Sequence, residues 1–263
     1  MEVIIQPDAP AAARLVAAII DRELRANPAL VLGLATGATM DPVYAELVRR
    51  CREEGLDFSL CRTFNLDEYV GVSPDDPHSY HAFMNERLFG KVNLDPRNTC
   101  LLNGMARDLA AECEAYERAI QTCGGIDLQL LGIGRAGHIG FNEPLSALMS
   151  RTREKALTPE TLKQNAPFFD KPETMPRRAL TMGVGTILDA RRLLTLVTGA
   201  EKAAVLAKAV EGPVTAMVTA SALQLHPRCT VVVDEAAAER LQGTSYYRWI
   251  FENEPEWIPF RKT

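Results

Sequence analysis

The stretch Leu131 to Pro144, Leu-Gly-Ile-Gly-Arg-Ala-Gly-His-Ile-Gly-Phe-Asn-Glu-Pro, limits what this chain can fold into more than any other. It continues the apolar run Ile126 to Leu131, which reads as a buried strand. Gly132, Gly134 and Gly137 then let the backbone turn sharply and deliver His138 just beyond the strand end, with Glu143 five residues later. In an open parallel sheet, ligands bind outside the carboxyl ends of the strands. A general acid or base would therefore be placed here.

The rest of the chain alternates strand-like and helix-like segments. Ala29–Ala35, Cys61–Leu66, Ile126–Ile133, Arg192–Thr198 and Cys229–Val233 are short apolar or β-branched runs. Between them lie helical patterns at Pro42–Glu53, Ser79–Phe89, Leu109–Thr122 and the alanine-rich Ala200–Val210. Strands separated by such helices predict an α/β protein with a doubly wound, mostly parallel, Rossmann-like sheet and helices on both faces. At 263 residues, without repeats or linker-like tracts, one domain over 1–263 is expected. Residues 144–176 are the least regular and read as a lid-like insertion over the site.

A formal charge of −5 argues against a nucleic-acid or anionic-membrane partner. No segment approaches the ~18 uninterrupted apolar residues of a membrane span. Ala9–Ile20 contains Arg14, lacks a basic start and reads as a helix rather than a secretory signal. The six cysteines show no Cys-x-x-Cys spacing, as expected for reduced thiols in the cytoplasm.

Four further pieces bear on chemistry. Gly33 to Thr39 runs from a strand through a small-residue turn with two threonine hydroxyls into a helix. Such a start suits an anion, although an ordinary threonine-capped turn has the same pattern. Asp67 and Glu68 follow a strand directly; alternation lets only one of them face a pocket. Gly132 to Gly137 formally matches Gly-x-Gly-x-x-Gly, but Gly140 and Pro144 interrupt the required helix, which argues against a nicotinamide site. Arg151, Arg153 and Lys155 would share one face of an extended strand as a phosphate cradle; otherwise they form a solvated edge. His78 and His81 have no third ligand in a zinc motif, and with Pro77 before them they read as a polar helix start.

Taken in order, these blocks resemble the glucosamine-6-phosphate deaminase family nearly end to end. The marks are Thr36-Gly37-Ala38-Thr39, Phe64 to Gly71, Gly137 to Pro144, Ser150 to Arg153, Gly183 to Thr186 and Leu223 to Pro227. The resemblance implies conversion of glucosamine 6-phosphate to fructose 6-phosphate and ammonia, without metal or organic cofactor. It makes Asp67 the base that moves a proton between C2 and C1, and His138 with Glu143 the ring-opening pair. It assigns the substrate phosphate to Thr36, Gly37, Ala38, Thr39 and Lys202. Ser146, Arg153 and Lys155, with Tyr247 more weakly, match an allosteric site that takes N-acetylglucosamine 6-phosphate in some members. Oligomeric state ranges from monomer to hexamer in the family, so a homo-oligomer stays open.

Two departures stand out. Ala136 replaces an aspartate that completes the family's ring-opening triad, and Pro167 stands where a phosphate-binding arginine precedes Phe168-Phe169. Arg135, Arg177 or Arg178 could compensate, and Arg135 is expected to face the pocket. Ala156 replaces a threonine of the allosteric region. The alternatives are a galactosamine 6-phosphate deaminase, a 6-phosphogluconolactonase-like hydrolase and a non-catalytic sugar-phosphate sensor.

Overall fold

The computed structural model describes residues 1–169 and 174–261. Its strands are β1 (Glu2–Gln6), β2 (Val31–Leu34), β3 (Arg62–Asn65), β4 (Asp67–Tyr69), β5 (Thr99–Cys100), β6 (Leu128–Gly132), β7 (Arg153–Ala156), β8 (Arg178–Thr181), β9 (Leu193–Val197) and β10 (Cys229–Asp234). The helices are α1 (Ala9–Ala26), α2 (Asp41–Glu54), α3 (Tyr80–Arg87), α4 (Leu109–Thr122), α5 (Pro159–Asn165), α6 (Val184–Leu188), α7 (Ala203–Val210), α8 (Glu235–Ala238) and α9 (Thr244–Asn253).

Seven strands form a parallel sheet in the order β1-β10-β9-β6-β2-β3-β5. Every residue of β2, β9 and β10 is buried. Successive side chains point to opposite faces, so the sheet is covered on both. This is the doubly wound, mostly parallel arrangement that the alternation of segments implies. Local chemistry sets the helix boundaries. The Asp8 carboxylate accepts from Ala11 N at 2.7 Å to start α1, and Gly55, at φ 67°, ends α2 in the left-handed region.

A second sheet, order β4-β8-β7, is antiparallel and lies outside the sequence expectation. It makes residues 153–156 and 178–181 strands within or beside what had read as irregular chain. Residues 170–173 of the expected 144–176 lid lie outside the described residues; the described part holds β7, α5 and a 3-10 turn at Ala166–Phe168. Among the described residues, no helix is long and apolar enough to cross a membrane.

Candidate active site

The strand order reverses between β2 and β6. From β2 the sheet proceeds outward to β3 and β5; from β6 it proceeds the other way to β9, β10 and β1. Loops leaving neighbouring strands at such a point diverge and leave a crevice between them. Here the crevice is a cleft of roughly 480 Å³ whose walls include Thr36, Gly37, Ala38, Thr39, Asp67, Arg135, His138 and Lys202.

Asp67 reaches the cleft because the chain leaves the parallel sheet after Asn65 and enters β4, where Asp67 pairs with Thr181 of β8. It is 7% exposed. Burial, then the charge of Glu68, pushes its carboxyl up to about 8 from the usual 3.8; a hydrogen bond from the Phe141 N–H opposes them. Glu68 points the other way. It accepts from the Tyr80 and His81 N–H groups, both at 3.1 Å, and meets His81 Nδ1 at 3.0 Å, so it anchors the start of α3. Strand alternation thus separates two adjacent acids into one that faces the cleft and one that holds structure.

His138 sits over a glycine for a steric reason. A Cβ at Gly134 would fall 2.0 Å from His138 Nε2, so only glycine lets the imidazole lie there. His138 Nδ1 is 3.1 Å from Glu143 Oε2, while Glu143 Oε1 accepts from Thr158 N at 3.1 Å. Burial alone would raise the Glu143 carboxyl, but the hydrogen bond and charge of His138, with Thr161 and Thr158, bring it below its usual value. Gly140 adopts φ 53° as the loop bends, and a Cβ there would meet Thr181 Oγ1 at 2.9 Å and Asp67 Oδ2 at 3.6 Å.

The basic wall is formed by Lys202 and Arg135. Lys202 Nζ donates to the Ile133 carbonyl at 2.7 Å. Burial, then the charge of Arg135, lowers its ammonium to about 8 against the usual 10.5, with Glu201 opposing. Among the described residues, no carboxylate lies within 4.0 Å of either cation. Arg178 instead pairs with Glu154 at 2.6 Å, and neither it nor Arg177 lines the cleft.

The remaining wall is aromatic, and sequence reasoning missed it. Tyr69 packs against Tyr80, Phe141 and Phe169 with ring centroids 5.1, 5.6 and 5.5 Å apart, and Asn165 Nδ2 donates to the Tyr69 hydroxyl at 3.0 Å. Tyr69 and Phe141 lie inside the conspicuous blocks, so their neighbours were the available signal. His78 stacks on Phe169 with centroids 4.9 Å apart and bonds to Asp76; His81 bonds to Glu68. The two imidazoles therefore serve separate carboxylates.

The other candidates scatter. β7 is extended, which places Arg153 and Lys155 on one face. Arg151, just before it, is held by Glu117 and Asp189 at 2.7 and 2.6 Å. Ser146 is buried, and its hydroxyl has no protein partner among the described residues. Tyr247, on α9, bonds to Glu211 at 2.8 Å and packs beside Tyr246.

An acid, an imidazole and two unpaired cations around the switch point of a doubly wound sheet define a Rossmann-like α/β protein with a site for a small anionic ligand. Comparison with known proteins makes this specific. The model of the family described as glucosamine-6-phosphate isomerases/6-phosphogluconolactonase matches residues 8–232, and the chain belongs to that family. It is 51% identical over 250 residues to a glucosamine-6-phosphate deaminase of Hahella chejuensis, covering 95% of each chain. It is 49% identical over 257 residues to one of an Arthrobacter species, covering 98% of this chain and 99% of that one. A solved structure of a monomeric glucosamine-6-phosphate deaminase superposes with a TM-score of 0.90 at 42% identity, covering 91% of this chain and 100% of the other. A 6-phosphogluconolactonase from Trypanosoma cruzi, at 20% identity and a TM-score of 0.72, shares the fold.

Proposed function

We propose that the chain deaminates glucosamine 6-phosphate, yielding fructose 6-phosphate and ammonia. Thr36 to Thr39 with Lys202 and Arg135 bind the phosphate, and Arg135 supplies the guanidinium that Pro167 lacks. The phosphate lowers the cost of charging the buried Lys202. With the phosphate fixed there, the sugar extends toward Asp67 and His138.

His138 donates a proton to the ring oxygen as the C1–O5 bond breaks, and the C1 hydroxyl proton leaves. Glu143 orients the imidazole and stabilises its protonated form, a duty that falls to one carboxylate because position 136 is alanine. The Asp67 carboxylate removes the C2 proton while O1 takes up a proton from solvent, giving an enolamine; Asp67 then returns its proton to C1 as the nitrogen gives one up to solvent, leaving a C2 imine. Water adds to that imine, ammonia leaves, and the ketone remains. The steps balance with water as the co-reactant, and each acid or base of this kind contributes roughly 10²- to 10⁴-fold. A doubly charged sugar phosphate and six unpaired cysteines suit the cytoplasm.

The observation that carries this reading is that Asp67 and His138 open onto one cleft with the unpaired Arg135 and Lys202. The test gives the purified chain, without added cofactor, glucosamine 6-phosphate, galactosamine 6-phosphate and 6-phosphogluconolactone in parallel, following ammonia and ketose 6-phosphate from the two amino sugars and acid release from the lactone. Release from the glucosamine substrate at least tenfold faster than from the others is expected. Turnover of the lactone alone, or sugar-phosphate binding with no turnover, would overturn it.

A further inference from the structure

Away from the cleft, one carboxylate gathers an unusual number of donors. Glu117 of α4 accepts at Oε1 from Thr152 N (2.8 Å), Thr152 Oγ1 (2.5 Å) and Thr186 Oγ1 (2.6 Å), and at Oε2 from Arg151 Nη2 (2.7 Å). Burial would raise this carboxyl, but the bonds from Thr152, Thr186 and Arg151 bring it below its usual value. It ties α4 to the entry of β7 and to α6.

The next residue, Arg153, is half-buried, and among the described residues no carboxylate pairs with it. Its Nη1 donates to Asn142 Oδ1 at 2.9 Å and to the Arg151 carbonyl at 3.2 Å. The guanidinium is therefore positioned by the segment that Glu117 holds. Asn142 is fully buried; its Nδ2 donates to the Ile139 and Met182 carbonyls at 2.9 and 2.7 Å, and its own carbonyl accepts from Thr219 Oγ1 at 2.8 Å. On one side of it the Phe141 N–H donates to Thr181 Oγ1 at 3.1 Å beside Asp67; on the other, Glu143 meets His138. The sheet offers a parallel route, since Arg153 and Asp67 both pair with Thr181 across β8.

We propose that Glu117 is a positioning residue, which sets the His138–Glu143 pair and Asp67 through Arg153 and Asn142. The proposal rests on the reading of those three groups as the reacting ones. A neutral amide at 117 presents N–H to donors and releases Arg151 and Thr152. Arg153 then loses its fixed carbonyl and the loop around Asn142 relaxes, with the substrate phosphate site untouched.

The experiment uses the full chain with Glu117→Gln, Arg153→Met and the double variant. Each is checked by circular dichroism and thermal melting, then assayed for kcat and KM on glucosamine 6-phosphate. Expected is a kcat loss of about tenfold in each single variant with KM within about twofold, and a double variant no slower than the slower single. Multiplying losses in the double, or an unchanged kcat in folded Glu117→Gln, overturns the proposal. Should Glu117→Gln fail to fold, Glu117→Asp, which keeps the charge but withdraws it by one methylene, is read the same way. If the unmodified chain releases no ammonia, the functional reading fails instead. The ¹⁵N shifts of the His138 imidazole then decide positioning: a change in Glu117→Gln supports it, and identical shifts overturn it.

Discussion

The loop around Arg135 and the segment from Arg151 to Lys155 each offer basic groups for a phosphate in the sequence, and meet opposite fates in the fold. Arg135 and Lys202 stand on the cleft wall without an acid partner among the described residues, and burial lowers the Lys202 ammonium to about 8. Arg151 is bracketed by Glu117 and Asp189, and Arg153 is spent on Asn142. Basic groups left unsatisfied on a concave surface are free for a ligand. Basic groups saturated by their own protein hold elements in place. Exposure to the cleft, rather than the count of arginines, separates the basic wall from a brace.

The largest expected effect breaks the comparison at the acid the basic wall serves. Asp67→Asn should lower kcat by roughly 10²- to 10⁴-fold in an ammonia-release assay. In the parent, kcat/KM should rise on the acid side up to pH about 8, where the carboxyl ionises. The same substitution should stabilise the fold. A carboxyl raised from 3.8 to about 8 on folding adds stability that is complete below pH 4 and is lost as pH rises through 8. The melting advantage of Asp67→Asn should therefore widen between pH 4 and pH 8, and a pH-independent advantage would contradict the burial argument.

Next, removing a basic group from the wall should weaken binding more than chemistry. Arg135→Met and Lys202→Met should each raise KM about 10- to 100-fold, as expected for a lost charged hydrogen bond, while kcat changes less. Lys202 also has a signature of its own. Its ionised form is disfavoured by the fold, so the parent carries a penalty that is complete below pH 8 and gone above pH 10.5. Lys202→Met should therefore melt higher than the parent at pH 7, with the gap closing toward pH 10.5.

A smaller loss, about tenfold in kcat, is expected for Gly134→Ala, because the new methyl group must displace the His138 ring. Retention of full kcat would mean that the imidazole can work from another position. The smallest effect sharpens the brace side. With Arg151 and Arg153 engaged by protein groups, N-acetylglucosamine 6-phosphate should shift KM by no more than about twofold. A larger activation would show that Arg153 can release its contacts and join Lys155 and Ser146 in holding an anion.

Much of the parallel sheet was legible because strands buried on both faces must be apolar along their whole length. Hence β2, β3, β6 and β9 showed as runs that overshoot the true ends by a residue or two, and β10 as one that stops a residue short. The antiparallel sheet was not. β7 reads Arg-Glu-Lys-Ala, and β4 and β8 are equally short, so no hydrophobic period marks them. Their existence depends on pairing with one another across long sequence separations. The aromatic wall was hidden for the same reason, since Tyr80 and Phe169 gain meaning only where α3 and the segment after α5 meet β4.

Residue chemistry and its spacing along the chain determined by themselves that an acid and an imidazole would follow buried strands, and that a small-residue turn would open α2. Those features are local: glycine permits the turn, apolar runs make the strands, and alternation sends Asp67 and Glu68 apart. Tertiary structure alone decided which cations would go unpaired, how high the Asp67 carboxyl would rise, and that Glu117 would hold the entry to β7. Charge pairing and desolvation depend on what is packed within a few ångströms in space, and that neighbourhood is made of residues far apart in the chain.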